Sequence, residues 1–478
     1  MRNLLLLIFI CTALEIQAQE TITVDFSKTL KSGINRGIGG ANLCWLLDSD
    51  KYNPNKKQSM YAALNDMGCG SLRFPYGHLA DNYLWHTPPY GNMEGGLRPK
   101  VASGNTIPGK WDWAVNRDGS FKNSMDFDEY MVLCEELQAK PLVVVNVFSF
   151  KYKGGPAFEE LVEAAAAWVR YAKTKKYKVA YWQIGNEVDH HEERFSKQEY
   201  VDCYQKMVKA MKAEDPSIAT GPGILSKVSY FNTIMAETPE LIDFVSCHQY
   251  MFPFQENCKN YDMWKEHSNQ YIPNVLKMQR NVTNSSKSSM EILITETGVS
   301  PSNDKIGRIN NTYKALWWFE VLMQEISQKN VAYAYFWGSH SPWNGNKDKE
   351  NDDSSVLFRI DDNSRKPIGE VVKFVNENIP ENLVSTSKIS GYTRSFAGLS
   401  DDGKKATVFL MNKNNQKEKV RLQLNHLPKG VKTFERMKLK GKKAESRTMT
   451  FSKEKKVSIS GDAIWITLEP LSITVLKN

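Results

Sequence analysis

Several features that define large protein classes are missing from this 478-residue sequence. After residue 18, no apolar run approaches the roughly 18 residues of a membrane-spanning helix. No GxGxxG or P-loop segment stands where a nucleotide-binding fold requires one. The seven cysteines show no CxxC spacing, which argues against a zinc site or a dense disulfide framework. We therefore expect no stable membrane insertion, no metal and no cofactor.

The N-terminus is the one strongly apolar segment. MRNLLLLIFICTALEIQAQ combines a single basic residue, Arg2, with an apolar stretch from Leu4 to Leu14 and the small residue Ala18. This is the outline of a secretory signal peptide, too short to cross a bilayer. An uncleaved anchor is the alternative, which the polar residues that follow disfavour. The pattern predicts a signal peptide over residues 1–18 and a secreted or periplasmic protein.

The net charge of +8 is spread unevenly. Residues 381–478 carry 20 Lys/Arg against 9 Asp/Glu, a net of +11, so the remainder carries 8 − 11 = −3. Such a basic segment could contact a polyanion or an anionic surface. A solvated, lysine-rich β-surface is the favoured explanation of the excess positive charge, because no aromatic-basic nucleic-acid motif accompanies it. We expect no nucleic-acid partner.

Short apolar runs alternate with amphipathic stretches of helical length between residues 36 and 380. Helices are predicted over 156–176, 196–216 and 311–330. Strands are predicted over 37–46, 70–77, 140–148, 179–187, 218–223, 242–250, 291–298 and 331–338. Eight strands alternating with helices predict a (β/α)8 TIM barrel of the α/β class. A doubly wound sheet is the competitor, but it lacks its phosphate-binding motif.

The pattern changes after Pro380. Alternating strands are expected over 405–414, 418–427 and 462–477, separated by turn residues and without helical periodicity. This predicts a C-terminal antiparallel β-sandwich over residues 381–478, following the catalytic barrel over 36–380. Residues 19–35 include TITVDFSKT, a strand that could join the sandwich.

Polar residues at the carboxyl ends of barrel strands are the informative ones, because barrel active sites lie there. Burying so many polar groups near one axis is costly unless they bond each other and a ligand. The predicted strand ends supply Arg73, Asn146, Asn186, Glu187, His248, Tyr250, Glu296 and Trp337.

Two of these residues, Glu187 and Glu296, are carboxylates on predicted strands 4 and 7. Two carboxylates that converge on a cleft are the minimum machinery for glycoside hydrolysis, one protonated and the other ionised. A barrel-end ion pair, for example with Arg73, explains either glutamate alone. The pair, with Asn186 directly before one member, favours catalysis. The DHHEE segment (189–193) lacks metal-ligand spacing and is interpreted as a solvated or substrate-contacting loop.

The stretch from Met125 to Asp189 resembles clan-A retaining glycoside hydrolases, above all the α-L-arabinofuranosidase family. The similarity rests on FDEYMVLCEELQAKPLVVVNV, EAAAAWVRYA and KVAYWQIGNEVD, with SLRFPYGHLADNYLW (71–85) as a variant of the family's RxPGG segment and DFVSCHQY (243–250) as its His-x-Tyr strand. It implies that Glu187 is the general acid/base and Glu296 the nucleophile. Asn186 would bond the sugar 2-hydroxyl, while Tyr250 and His248 would hold Glu296 and the bound sugar, with Arg73 beneath the nucleophile.

Two departures separate this chain from the arabinofuranosidases. ITETG surrounds Glu296, where the family carries Asp-Glu-Trp and where the β-xylosidase/iduronidase group is closer. Tyr76 and His78 stand where the family shows Gly-Gly and Asn. The expected function is an exported, retaining O-glycoside hydrolase that acts on a polysaccharide or oligosaccharide. Arabinofuranose specificity is implied by the resemblance, and the two departures count against it. The alternative is a non-catalytic carbohydrate-binding protein on a degenerate barrel.

Overall fold

The computed structural model describes residues 21–51, 56–85, 121–152, 155–190, 195–267, 270–299, 309–341, 356–387 and 391–478. The predicted signal peptide lies outside these residues. Among the helices of the described ranges, none is at once long and apolar enough to traverse a lipid bilayer. The six cysteines in these ranges are buried and free.

Eight parallel strands form the first sheet. They are β2 (Gly39–Asn42), β3 (Ser71–Phe74), β4 (Lys140–Val145), β5 (Tyr181–Ile184), β6 (Thr220–Pro222), β7 (Phe244–Tyr250), β8 (Glu291–Gly298) and β9 (Val331–Phe336). Their order is β6-β5-β4-β3-β2-β9-β8-β7. The sheet nearly closes between its two edge strands, where Asp243 N donates to Thr220 O at 2.8 Å. The predicted eight-stranded parallel barrel is confirmed.

Helices alternate with these strands. In the described ranges they are α1 (Met60–Met67), α2 (Phe127–Leu137), α3 (Phe158–Lys175), α4 (Lys197–Glu214), α5 (Val228–Glu237), α6 (Tyr261–Glu266), α7 (Pro273–Thr283), α8 (Thr312–Ile326) and α9 (Pro367–Asn378). Side chains at the N-caps fix where several of them begin, as when Asp126 accepts from Glu129 N and Ser196 from Glu199 N. Each such cap satisfies a backbone donor that the first helical turn leaves free.

The barrel strands are shorter than predicted at their carboxyl ends. The run predicted over 179–187 ends as a strand at Ile184, and the run over 70–77 ends at Phe74. Beyond these points Pro75 has no backbone N–H to donate to a ladder, and Gly185 turns the chain at φ +78°. The prediction of strand from residue type therefore extended these two strands too far.

The second sheet is separate and mostly antiparallel. Its strands are β1 (Thr21–Lys31), β10 (Asn382–Thr386), β11 (Thr393–Leu399), β12 (Ala406–Asn412), β13 (Glu418–Asn425), β14 (Thr433–Gly441), β15 (Met449–Ser458), β16 (Ala463–Leu468) and β17 (Ser472–Lys477). Their order is β15-β14-β17-β12-β11-β10-β1-β13-β16. Strand β1 runs antiparallel to β10 and parallel to β13, so the N-terminal strand lies inside this sheet.

Two details of the C-terminal prediction differ from the structure. The run predicted as one strand over 462–477 is two strands, because Pro470 cannot donate to a ladder and Leu471 turns the chain at φ 48°. The hydrogen bonds join all nine strands into one sheet, whereas a sandwich requires two. Buried residues from β1, β14 and β16, such as Ile22, Phe434 and Ile464, nevertheless share one apolar cluster.

Glu325 is a buried carboxyl on α8, directly behind the site-bearing strand β8. Thr297 donates its hydroxyl to Glu325 Oε1 at 2.6 Å, while Oε2 is buried without a partner among the described residues. Burial raises the pKa of Glu325 well above its ordinary value, against the lowering effect of the Thr297 bond. The folded state therefore binds this proton more tightly than the unfolded chain.

We predict that Glu325→Gln stabilises the protein increasingly as pH rises. The unfolded carboxyl ionises above pH ~4.3, which pulls the wild type toward unfolding, and an amide removes that effect. At pH 8 the gain in unfolding free energy should reach at least about 1 kcal/mol, since one pKa unit is worth ~1.36 kcal/mol. Urea unfolding at pH 4 and pH 8 measures it.

The matched control is Glu320→Gln on the same helix. Glu320 is equally enclosed, at 2% exposure, but accepts from Arg394 Nε at 2.7 Å. Removing its charge leaves a cation unpaired, so this variant should lose stability at pH 8. A Glu325→Gln variant that is less stable than wild type at pH 8 would contradict the assignment.

Candidate active site

A strained turn after β5 delivers Glu187 to the barrel axis. Gly185 has φ +78° and Glu187 φ +45°, both in the left-handed region. A Cβ at Gly185 would lie 2.6 Å from Val147 Cγ1, so the turn has no room for a larger residue. Such backbone costs free energy and persists where the surrounding contacts hold it. The turn places Asn186 and Glu187 side by side, with 3% and 7% exposure.

An irregular register in the β7–β8 ladder aligns the second carboxylate with a histidine. Cys247 pairs with Ile294, but His248 pairs with Glu296, so Thr295 is an extra residue. Extra residues of this kind re-aim side chains and are frequent beside active sites. The result points Glu296 and His248 toward Glu187.

Arg73 on β3 connects these elements from below. Its side chain is 0% exposed. It donates from Nη1 to Glu296 Oε1 at 2.9 Å and to Asn42 Oδ1 at 2.6 Å, and from Nη2 to Asn186 Oδ1 at 2.6 Å. A buried guanidinium is tolerated when its donors are paired in this way. One cation therefore fixes the nucleophile candidate and the residue before the acid/base candidate.

Each oxygen of Glu187 lies beside an imidazole. Nδ1 of His248 is 2.7 Å from Oε1, and Nε2 of His78 is 3.4 Å from Oε2. Burial raises the pKa of Glu187, but the hydrogen bond and charge of His248, followed by the charges of His78 and His190, outweigh it and lower the pKa to about 2. The site therefore favours the ionised form of Glu187.

Glu296 is held as a hydrogen-bond acceptor on both oxygens. Arg73 donates to Oε1, and the Tyr250 hydroxyl donates to Oε2 at 2.8 Å. Burial raises the pKa of Tyr250 well above its usual value, and the neighbouring Glu296 and Glu187 raise it further. Tyr250 therefore remains a donor at any working pH. Two donors, one of them a cation, suit an ionised carboxylate.

The two glutamates face each other across a narrow gap. One oxygen of each, together with a ring nitrogen of His248, lies within 4.8 Å of the others. Three such groups can in general hold a metal ion. Here Arg73 already supplies a positive charge to Glu296, and His248 bonds Glu187 directly. The two carboxyl groups are therefore each hydrogen-bonded to other side chains, Glu296 to Arg73 and Glu187 to His248.

The remaining predicted residues divide into two groups. Nδ2 of Asn186 has no hydrogen-bond partner in the described structure and stands beside the glutamates. Trp337 packs against Tyr76 at a centroid distance of 4.5 Å and against Tyr250 at 6.4 Å, forming a wall of the site. Asn146 instead bonds backbone, donating to Asp81 O and accepting from Ser149 N. It holds the loop that carries His78 and does not touch either glutamate.

The DHHEE segment is anchored by backbone contacts at its first residue. Asp189 is 2% exposed and accepts from the backbone N–H groups of Leu225, Ser226 and Lys227 at 2.6–2.8 Å. This carboxylate is therefore fully occupied in joining two loops. His190 lies near His78, with ring centroids 6.2 Å apart. Residues 191–194 lie outside the described ranges.

Two residues of the site were missed in the sequence. Asn42 ends β2 and donates from Nδ2 to Thr295 O and Phe336 O while accepting from Arg73. It is a polar residue that interrupts the apolar run predicted over 37–46, and that interruption is the signal that could have found it. Gly77 was missed because its role is the absence of a side chain. A Cβ there would overlap Glu296 Oε1 and lie 2.6 Å from Cζ3 of Trp337.

Comparison with known proteins points to one kind of enzyme. Residues 63–269 match the model of the α-L-arabinofuranosidase 1 domain, which is less than half of the chain. An intracellular exo-α-(1→5)-L-arabinofuranosidase of Bifidobacterium longum is 24% identical over 210 residues, covering 41% of this chain and 35% of that protein. An intracellular exo-α-L-arabinofuranosidase of Bacteroides ovatus is 28% identical over 147 residues, 27% of this chain and 24% of that protein.

The chain thus matches about a third or less of the length of these curated relatives. The fold comparison is more extensive. The crystal structure of an α-L-arabinofuranosidase from Thermotoga maritima in complex with arabinose superposes with a TM-score of 0.68 at 18% identity, covering 96% of this chain and 99% of that one. A xyloglucanase of Paenibacillus polymyxa gives a TM-score of 0.65 at 13% identity, with the same coverage.

The chain resembles the α-L-arabinofuranosidases of clan A. The resemblance predicted from the Asn-Glu strand end is therefore confirmed. The matched residues 63–269 of this arabinofuranosidase-like chain include Arg73, Asn186, Glu187, His248 and Tyr250. Glu296 lies beyond residue 269, and strand β8 of the barrel brings it to the site.

The prediction of a secreted or periplasmic protein is wrong. The relatives from Bifidobacterium longum and Bacteroides ovatus are both named as intracellular enzymes, which points away from export. The prediction depended on a short N-terminal pattern of one basic residue and an apolar run. Such a pattern is compositional and is weaker than similarity across the body of the arabinofuranosidase-like chain.

We predict that Gly77→Ala abolishes most glycosidase activity while the barrel stays folded. The new methyl group must displace Glu296 or Trp337, and a 1 Å displacement of a reacting group can cost about 10²-fold in rate. Aryl-glycoside hydrolysis and thermal unfolding measure the two effects. Gly298→Ala is the control, since its Cβ would meet Phe336 at 3.3 Å, away from the carboxylates. Equal activity in Gly77→Ala and wild type would exclude the tight contact.

Proposed function

We propose that the protein is a retaining O-glycoside hydrolase that removes α-L-arabinofuranosyl groups from oligosaccharides or polysaccharides. The approach of Glu187 and Glu296 carries this proposal. Retaining enzymes place their carboxyl groups about 5–5.5 Å apart, whereas inverting ones need roughly 6.5–9.5 Å to admit a water. Oxygens within 4.8 Å favour a covalent route over direct attack by water.

In the first step, Glu296 attacks the anomeric carbon and the glycosidic bond breaks. The leaving oxygen takes a proton from Glu187, and a glycosyl ester forms on Glu296. Arg73 and Tyr250 keep Glu296 aligned as an acceptor. Both donate to the carboxylate that loses its negative charge as the ester forms.

In the second step, Glu187 acts as a base. It takes a proton from water, the water oxygen attacks the anomeric carbon, and the ester bond to Glu296 breaks. Glu187 then holds a proton again and the cycle restarts. Between the steps Nδ2 of Asn186, which has no partner in the described residues, would donate to the sugar hydroxyl next to the anomeric carbon. Its carbonyl stays fixed by Arg73.

The sugar is proposed from the family resemblance. The β8 segment ITETG and the bulky Tyr76 depart from the arabinofuranosidase pattern, and Tyr76 packs directly on Trp337. The xyloglucanase of glycoside hydrolase family 44 shares this fold. A substrate panel should therefore include aryl xylosides and xyloglucan beside arabinofuranosides. A purely carbohydrate-binding role is not favoured, because it gives no reason for two facing carboxylates.

The domain division is also proposed. We infer a catalytic barrel over residues 36–380 and a β-domain over 381–478, completed by a strand from residues 19–35. Its sheet would fold over into a sandwich-like form, which the shared apolar cluster of β1, β14 and β16 supports. The basic residues of this domain would face solvent.

We predict that Glu187→Ala and Glu296→Ala both lose glycosidase activity by distinguishable routes. Removing the acid should cost about 10²–10⁴-fold on substrates with poor leaving groups. Removing the nucleophile should cost several orders of magnitude on every substrate. Hydrolysis of aryl α-L-arabinofuranosides of graded leaving-group pKa separates the two patterns.

Glu291→Gln serves as the control, because Glu291 is on the same strand as Glu296 but bonds Tyr181 at the opposite end of the barrel. It should keep near wild-type rates. If Glu187→Ala or Glu296→Ala turned over its substrate at the wild-type rate, the two-glutamate proposal would be wrong.

Retention itself is tested by stereochemistry. The first product of wild-type hydrolysis, followed by proton NMR, should have the anomeric configuration of the substrate, because two displacements at one carbon restore it. Azide added to Glu187→Ala should give a glycosyl azide of unchanged configuration, and azide added to Glu296→Ala an inverted one. An inverted wild-type product would refute retention.

A further inference from the structure

Glu187 meets an imidazole on each oxygen, and the two imidazoles differ. His248 is 0% exposed and bonds Oε1 at 2.7 Å, with its other nitrogen 3.1 Å from Thr295 Oγ1. The His78 side chain is 40% exposed and lies 3.4 Å from Oε2. His248 is therefore part of the enclosed barrel, whereas His78 is accessible to solvent.

The two imidazoles determine which oxygen of Glu187 is available to the leaving group. Oε1 is occupied by the buried His248, so Oε2 is the oxygen left to meet the leaving group. His78 lies on that same oxygen and at the more exposed side of the carboxylate. An imidazole at this oxygen carries a positive charge when both of its nitrogens are protonated. Its charged form favours the ionised carboxylate and opposes the proton that the first step needs.

We propose that His78 is a positioning residue of the acid/base, and that its charge determines up to which pH Glu187 still carries its proton. This inference rests on the proposed function. It concerns a residue at which the chain departs from the arabinofuranosidase pattern, which shows Asn here. The same charge assists the second step, because an ionised Glu187 is the base that activates water.

Other charged groups face Glu187 and must be counted. His248 and Tyr250 approach from β7, Glu296 from β8 and Arg73 from β3. His190 approaches from the turn after Glu187. Asp81, in the short helix that begins at His78, is buried, and burial together with the charge of Glu187 raises its pKa well above the ordinary value. This direction of shift favours the uncharged form of Asp81. Of the two imidazoles that contact Glu187 directly, His78 is the accessible one.

The test is the pH dependence of kcat/KM, whose basic limb reports the essential acid of the free enzyme. His78→Asn should move this limb up by about half a pH unit for phenyl α-L-arabinofuranoside, which needs protonation to leave. A partly exposed charge pair is worth less than one pKa unit, which sets that size. His78→Lys keeps a positive charge at higher pH, so its limb should stay at or below that of wild type.

Two controls separate this role from a structural one. The 2,4-dinitrophenyl substrate leaves without a proton, so its basic limb should be the same in both variants. His426→Asn removes an exposed imidazole that bonds Asp25 at 2.9 Å in the β-domain, and should shift nothing. Thermal unfolding checks that each variant is folded.

The outcomes distinguish the two proposals. If Glu187→Ala and Glu296→Ala are inactive but the limbs of His78→Asn and His78→Lys coincide with wild type, the role of His78 is refuted and the proposed function stands. If the basic limbs of His78→Asn and His78→Lys both move in the same direction, the role of His78 is also refuted, because its charge would then not be the cause. Active Glu187→Ala and Glu296→Ala variants would instead refute the proposed function.

Discussion

The site depends on one buried cation. Arg73 is enclosed by the barrel and donates to Asn42, Asn186 and Glu296, with Gln183 at 3.3 Å from Nε. A guanidinium without water must find acceptors in the protein, and these come from β2, from β5 with the turn after it, and from β8. The requirement to pair this charge therefore draws β2, β5 and β8 to a common point. The geometry of the two glutamates follows from it.

The second constraint is proton placement on two chemically identical side chains. Glu296 receives donors that keep it an acceptor, while Glu187 is set between two imidazoles that can hold or release a proton. Different surroundings shift the pKa values of two such carboxyl groups apart and so give them different catalytic roles. Here the separation comes from the partners, because both glutamates are nearly buried. The low pKa of Glu187 means that the site favours its ionised form, and the first step requires this carboxyl group to take up a proton.

The backbone contributes as much as the side chains. Gly185 permits the left-handed turn before Glu187, the extra residue Thr295 sets the register of His248 against Glu296, and Gly77 leaves space beside Glu296. The helices and the second sheet supply the enclosure around this site. Phe409 and Ile473 of that sheet join the apolar cluster of the barrel, so the two sheets share a continuous core.

The sequence by itself determined the eight-stranded barrel, the two glutamates at strand ends and the neighbouring Arg73, Asn186, His248 and Tyr250. It could do so because apolar periodicity marks strands and helices, and because a polar residue at the end of a buried strand is costly without a purpose. Only the tertiary structure decided which nitrogen meets which oxygen and that Asn146 binds a loop. Those outcomes depend on register, turn geometry and space between distant segments, which no local pattern encodes.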